Sequence, residues 1–206
     1  MKIKKIGWTT FQISTDNISI LTDVLKMKDE GLNIPKIHTD IVVFTDRPEG
    51  KYGDKVEADK RDKVMEISTP GEYEVGGVMI RRGLNDDFYI IDEKNLRIVY
   101  MGGTEKGFNP EKAKSLGDVD ALIIPVGNGE NFMDYDTLEK VISNIDPAIL
   151  IPCGFKEEGK KSTGLKSKEE FLKHFGYANA KDEGYVNLAR KRVEEDQRSV
   201  EVIFLK

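Results

Sequence analysis

The spacing of short apolar runs constrains the fold of this chain more than any other feature. Lys2–Ile6, Thr10–Ile13, Ile18–Leu21, Ile41–Phe44, Val78–Arg82, Phe88–Ile91, Arg97–Tyr100, Ala121–Pro125 and Ile149–Ile151 alternate in polarity or are wholly apolar, bounded by Gly, Pro, Asn and Asp. Runs this short predict strands, with a last one over Val200–Leu205. Helical spacing is confined to the second half. Asn109-Pro110-Glu111 offers an N-cap before a proline at the first helical position, and Gly117 stops that helix. Asp134 to Ile145 sets Leu138, Val141, Ile142 and Ile145 on one face ahead of Pro147. Ser167 and Glu170 make a capping box before Phe171, Leu172 and Phe175, and Gly176 closes the turn. Gly76-Gly77 between EYEV and VMIR predicts a tight hairpin, because consecutive glycines accept the positive φ angles of its turn. Strands first and helix-strand alternation from Pro110 to Pro152 predict two sheets packed face to face with helices outside.

A chain of 206 residues can bury a core of that kind as one domain, 1–206. Its 32 Lys+Arg against 37 Asp+Glu give a net charge of −5 with the signs interspersed, which argues against a broad basic footprint for nucleic acid. A single cysteine excludes an intrachain disulfide framework and fits a reducing compartment. Apolar runs such as Ala121 to Val126 are too short to span a bilayer, and MKIKKIG leads into Trp-Thr-Thr rather than the apolar stretch of a signal peptide. The expectation is a cytoplasmic protein with a small-molecule or protein partner, without nucleic acid or membrane, and with homo-oligomerisation open.

Six segments in order carry a resemblance. KIKKIGWTTFQISTDNISILTD resembles three opening strands with a G-[HQ]-S-x-F turn that close on T-D-P; Gly7, Phe11, Thr22 and Asp23 agree, while Trp8 and Val24 depart. GLNIPKIHTDIVVFT, TPGEYEVGGVMIRRG, LRIVYMGG, SLGDVDALIIPVG and DPAILIPCGF follow. Together they resemble the metallo-β-lactamase-fold hydrolases, in particular the compact zinc-dependent branch related to ascorbate-phosphate lactonases. The resemblance implies an α+β, αββα four-layer sandwich in which the ends of strands at Thr22-Asp23, Phe44-Thr45, Met101-Gly102 and Pro152-Cys153 converge on one cleft.

The same resemblance implies a metal site that these residues do not furnish. The ligands of the family's T-H-x-H-x-D-H loop fall on Asp46, Pro48, Gly50 and Lys51, its bridging aspartate on Gly103, and its late histidine on Gly154. RRGLNDDF has no candidate for the remaining histidine, and the chain's two, His38 and His174, lie elsewhere. His38 reads as a loop residue and His174 as helical. Catalytic zinc needs about three protein ligands around an open position. Asp46 alone could serve, so no metal or cofactor is expected.

The expected function is therefore a non-catalytic binding or assembly module. Its vestigial cleft is formed by Trp8, Asp23, Asp46, Arg47, Glu49, Lys51, Gly103, Thr104, Cys153 and Gly154, with Trp8 narrowing or plugging it. Arg47 or Lys51 is expected to pair with Asp23, Asp46, Glu49 or Glu105. Gly102-Gly103 with Thr104 has a second reading as a phosphate cradle. Cys153 reads as a small buried residue, since a nucleophile would need a base and a lowered pKa. The alternative is a hydrolase acting on a phosphoester or lactone through a rearranged carboxylate site drawn from Asp23, Asp46, Glu49, Glu72 or Glu105. The stretch Lys156–Lys168 reads as a polar surface loop.

Overall fold

The structure, a computed structural model, describes residues 1–46, 49–103, 107–129, 131–157, 164–189 and 200–206. The elements begin with β1 (Lys2–Gly7), β2 (Thr10–Ser14), β3 (Ser19–Thr22), the short helix α1 (Lys26–Asp29), β4 (Ile37–His38), β5 (Ile41–Val43), β6 (Val56–Glu57), β7 (Met65–Ile67), β8 (Gly71–Val75) and β9 (Val78–Arg82). They continue with β10 (Tyr89–Glu93), β11 (Leu96–Tyr100), a 3-10 helix over Pro110–Ser115, β12 (Ala121–Pro125), α2 (Tyr135–Ile145), β13 (Ile149–Cys153), α3 (Lys168–Phe175), β14 (Lys181–Glu183), β15 (Val186–Asn187) and β16 (Glu201–Leu205). One sheet has the order β15-β1-β2-β3-β5-β7 and the other β14-β16-β13-β12-β11-β10-β9-β8, while β4 pairs with β6.

Alternation along each strand builds the layers, because successive side chains point to opposite faces. Ile98 and Tyr100 of β11 join Ile20, Ile41 and Val43 of the first sheet in the core between the sheets. Val99, between them in sequence, faces the other way into a second core with Leu138, Val141 and Ile142 of α2 and Phe171 of α3. Leu21 and Val42 turn outward from the first sheet onto Val24, Leu25 and Met27 around α1. The result is the α+β sandwich expected from the resemblance, with helices outside the second sheet and the short α1 outside the first.

The local signals behave as their chemistry requires. Asn109 accepts from the backbone N–H of Glu111 at 3.0 Å and Asp134 from that of Thr137 at 2.8 Å, capping the 3-10 helix and α2. Ser167 and Glu170 form the capping box, and Gly176 ends α3 with φ 70°. Gly76 and Gly77 turn from β8 to β9 at φ 60° and 80°, and a Cβ on Gly76 would lie 2.7 Å from Ile18 Cγ2. One expectation is corrected: His38 belongs to β4, where parallel pairing of Ile37 with Val56 and His38 with Glu57 draws it into a short strand, its own side chain exposed beside the buried Ile37. His174 is helical and exposed, as expected. Among the described residues, no helix is long and apolar enough to cross a membrane.

Candidate binding cleft

Parallel pairing brings strand ends level. Thr22 of β3 stands beside Val43 of β5, and Tyr100 of β11 beside Ile123 of β12, which itself pairs with Ile151 of β13. The carboxyl ends of both sets therefore open onto the same side, the usual place for a site in parallel sheets. Asp23, the residue after β3, is fully buried in the left-handed region at φ 42°. Its carboxylate accepts from Thr45 N at 2.8 Å, from Thr45 Oγ1 at 2.5 Å and, across the sheets, from the Tyr100 hydroxyl at 2.8 Å. The same hydroxyl lies 2.8 Å from the Thr9 carbonyl and ties the Trp8-Thr9 turn to the network. Burial, reinforced by the charge of Asp23, holds the Tyr100 phenol well above its ordinary pKa, so it stays a hydrogen-bond donor.

The cation beside Asp23 is Lys26, from the first position of α1. Its Nζ lies 3.9 Å from Asp23 Oδ2 and 3.4 Å from Thr45 Oγ1. The expectation named Arg47 or Lys51 as partner of Asp23, Asp46, Glu49 or Glu105; at Asp23 the cation among the described residues is Lys26. Lys51 is exposed, has no carboxylate partner among the described residues, and contributes its backbone carbonyl to Lys28 Nζ at 2.6 Å; Arg47 lies outside the described residues. Lys26 was legible only as a carboxylate and a lysine three residues apart just after a strand, a spacing that becomes meaningful once α1 turns the lysine back over Asp23.

Gly103, to which the resemblance assigns the family's bridging aspartate, has no room for a side chain. An added Cβ would lie 1.8 Å from Thr45 Oγ1, 2.5 Å from Thr45 Cβ and 2.8 Å from Lys26 Nζ. Gly103 is not in the left-handed region, so room rather than backbone conformation excludes a side chain. At the position the resemblance assigns to the late histidine, Gly154 has φ 57°, and a Cβ there would meet Pro125 Cβ at 3.0 Å and the Phe132 ring at 3.2 Å. Phe132 also packs on Trp8, with ring centroids 6.1 Å apart. Trp8 is buried at φ 53°, and with Phe132 it walls this side of the cleft.

What remains open is a cavity of about 200 Å³ lined by Thr45, Asp46, Arg82, Asp87 and Gly103. Arg82 is held rigidly at its edge, donating from Nε to Asp86 O at 2.8 Å and from Nη1 to Phe44 O at 3.0 Å and Ser68 O at 3.2 Å. Its guanidinium lies over the Tyr89 ring, 5.7 Å from the centroid. Cys153, next to Gly154, is fully buried, and burial pushes its thiol up to about 12 despite the opposing charges of Lys5 and Lys26. That is the reverse of the lowered pKa a nucleophile needs.

The expected cleft residues thus divide. Trp8, Asp23, Gly103, Cys153 and Gly154 are buried at the converging strand ends; Asp46 is exposed at the cavity; Glu49 and Lys51 are exposed. Arg47, Thr104 and Glu105 lie outside the described residues, and with Thr104 goes part of the phosphate-cradle reading. Glu72 is exposed on β8, an edge strand of the second sheet. Sequence reasoning named Thr45 only as part of a strand end and missed Lys26, Arg82, Tyr100 and Phe132, none of which falls on a position the resemblance assigns to a ligand. The described residues do not furnish a zinc site: no three His, Cys, Asp or Glu side chains among them come together as a potential metal site, and the Asp23 carboxylate accepts from Thr45 and Tyr100.

Comparison with known proteins points one way. A proposed Zn-dependent hydrolase of the metallo-β-lactamase superfamily from Thermotoga maritima superimposes with a TM-score of 0.77 at 20% identity, covering 100% of this chain and 98% of that one. Igni18, a metallo hydrolase from Ignicoccus hospitalis, reaches 0.58 at 15% identity over 86% of this chain and 91% of its own. The metallo-β-lactamase fold protein YhfI from Bacillus subtilis reaches 0.56 at 12% identity over 100% and 96%. At these identities the likeness is one of fold. No curated protein matches the chain. The family model for the β-lactamase superfamily domain matches residues 2–154, well over half of the sequence, and the chain belongs to that family.

Proposed function

We infer that this member of the family works without a catalytic metal, as a binding or assembly module. One observation carries the reading: position 103 has no space for a metal-bridging carboxylate, because the place of its Cβ is already crowded by Thr45 and Lys26. Fold alone does not decide activity, so the hydrolase names of the solved relatives do not transfer without the residues that perform the chemistry. The cavity beside Gly103, with Arg82 opposite Asp46 and Asp87, is the candidate ligand site and suits a small polar molecule or a side chain of a partner protein.

The competing hydrolase with a rearranged carboxylate site would draw on Asp46 and Asp87 at that cavity and needs a further donor. The two readings separate in a turnover assay with phosphomonoester, phosphodiester and lactone substrates, with zinc or manganese added. The binding-module reading expects no turnover above buffer. Metal-dependent turnover abolished by Asp46→Asn would overturn it.

A further inference from the structure

The geometry points to the ammonium of Lys26 as a built-in counter-ion that takes the electrostatic place of a metal in this cleft. This deepens the metal-independent reading and rests on it. Asp23 is a fully buried carboxylate. A buried charge without compensation is strongly destabilising, and in a metal-bearing site the ion supplies that compensation. Here the side chain of Lys26 is 20% exposed and that of Asp23 0%, so the lysine reaches inward from the rim to an acid that cannot reach out. The charge is relayed as well as direct: Lys26 Nζ approaches Thr45 Oγ1 at 3.4 Å, and Thr45 Oγ1 donates to Asp23 Oδ2 at 2.5 Å.

Three further facts place the ammonium at the junction rather than merely near one acid. It sits 2.8 Å from where a side chain on residue 103 would begin, so it shares the space of the family's bridging position. Its charge is felt by Cys153 at the end of β13 in the opposite sheet. The carboxylate it faces is the one on which β3, β5 and β11 converge through Thr45 and Tyr100. On this account Gly103 is required by Lys26 and Thr45: a side chain at 103 and the ammonium in its present place exclude each other.

The test is a double-mutant cycle of Lys26→Met and Asp23→Asn, read as thermal midpoints with and without one equivalent of zinc. Each single variant strands one charge and should melt at least about 5 °C below the wild type. The double variant should recover part of that loss, and Lys26→Arg, which keeps the charge, should lose less than Lys26→Met. If Lys26→Met alone does not fold, the double variant decides: it folds if the two charges compensate each other and fails to fold if Lys26 contributes something other than compensation of Asp23. Additive losses with a zinc-indifferent wild type would overturn the counter-ion and leave metal independence standing. A wild-type midpoint raised by stoichiometric zinc would overturn metal independence itself, and the counter-ion with it.

Discussion

Gly103→Ala is the smallest change that tests how the cleft is packed. The added methyl would stand 1.8 Å from Thr45 Oγ1 and 2.5 Å from Thr45 Cβ. Thr45 is not the loose end of a flexible side chain. It is 2% exposed, and both its N–H and its hydroxyl are engaged by Asp23. Overpacking of a well-filled site costs about 1–3 kcal/mol. Displacing Thr45 also weakens a hydrogen bond to a buried charged group, worth about 1.5–3 kcal/mol. Together these come to about 2.5–6 kcal/mol, or about 5–24 °C in the thermal midpoint of a chain this size. Gly184→Ala is the control, since a Cβ there meets nothing within 4 Å and the backbone is not left-handed. It should stay within about 0.5 kcal/mol of the wild type. Differential scanning calorimetry of both variants decides the matter. A Gly103→Ala protein that melts with the control would show that Thr45 and Lys26 yield easily, and the steric argument against a side chain at 103 would fail.

Other consequences can be checked in parallel. Asp40 is fully buried; burial pushes its pKa up, but hydrogen bonds from the backbone N–H groups of Lys60, Ser19 and Arg61 and from the Ser19 hydroxyl outweigh this and leave it lowered. A carboxylate held low in the fold stabilises above its unfolded pKa of about 3.9 and loses that contribution as pH falls through the folded value, so urea midpoints should drop below about pH 4 and drop less in Asp40→Asn. At neutral pH, Asp40→Asn should itself cost about 1–3 kcal/mol by urea unfolding, because its acceptor set is not reproduced. The Cys153 thiol, buried and raised to about 12, should react with a thiol reagent in denaturant and stay protected in the native state. Ser167→Ala should remove the capping box of α3 at a cost of about 1 kcal/mol in the same urea assay.

Much of the fold could be read from local chemistry. The nine runs, the Gly76-Gly77 turn and the caps at Asn109, Asp134 and Ser167 depend on neighbours in sequence, and each formed close to where its residues predict. Shorter strands escaped because two or three residues carry no periodicity: β4, β6, β14 and β15 exist through the partners they pair with. That positions 103 and 154 carry no side-chain donor was equally legible, since both are glycine. What fills their place was not. Lys26, Thr45 and Tyr100 lie on separate elements, and their association depends on β3, β5 and β11 ending at one level across two sheets. Charge density along the loop drew attention to Arg47 and Lys51, and nothing local marks Lys26, which reaches the buried acid from a one-turn helix just downstream.

If the cleft is complete without a metal, as proposed, the metal content of the purified protein reveals it most directly. Protein purified without added zinc and dialysed against metal-free buffer should carry well under one equivalent of zinc, manganese or iron by elemental analysis, and a chelator should leave its thermal midpoint unchanged because no metal-binding free energy is linked to folding. One or more equivalents surviving dialysis, with a midpoint that falls on chelation, would contradict the account.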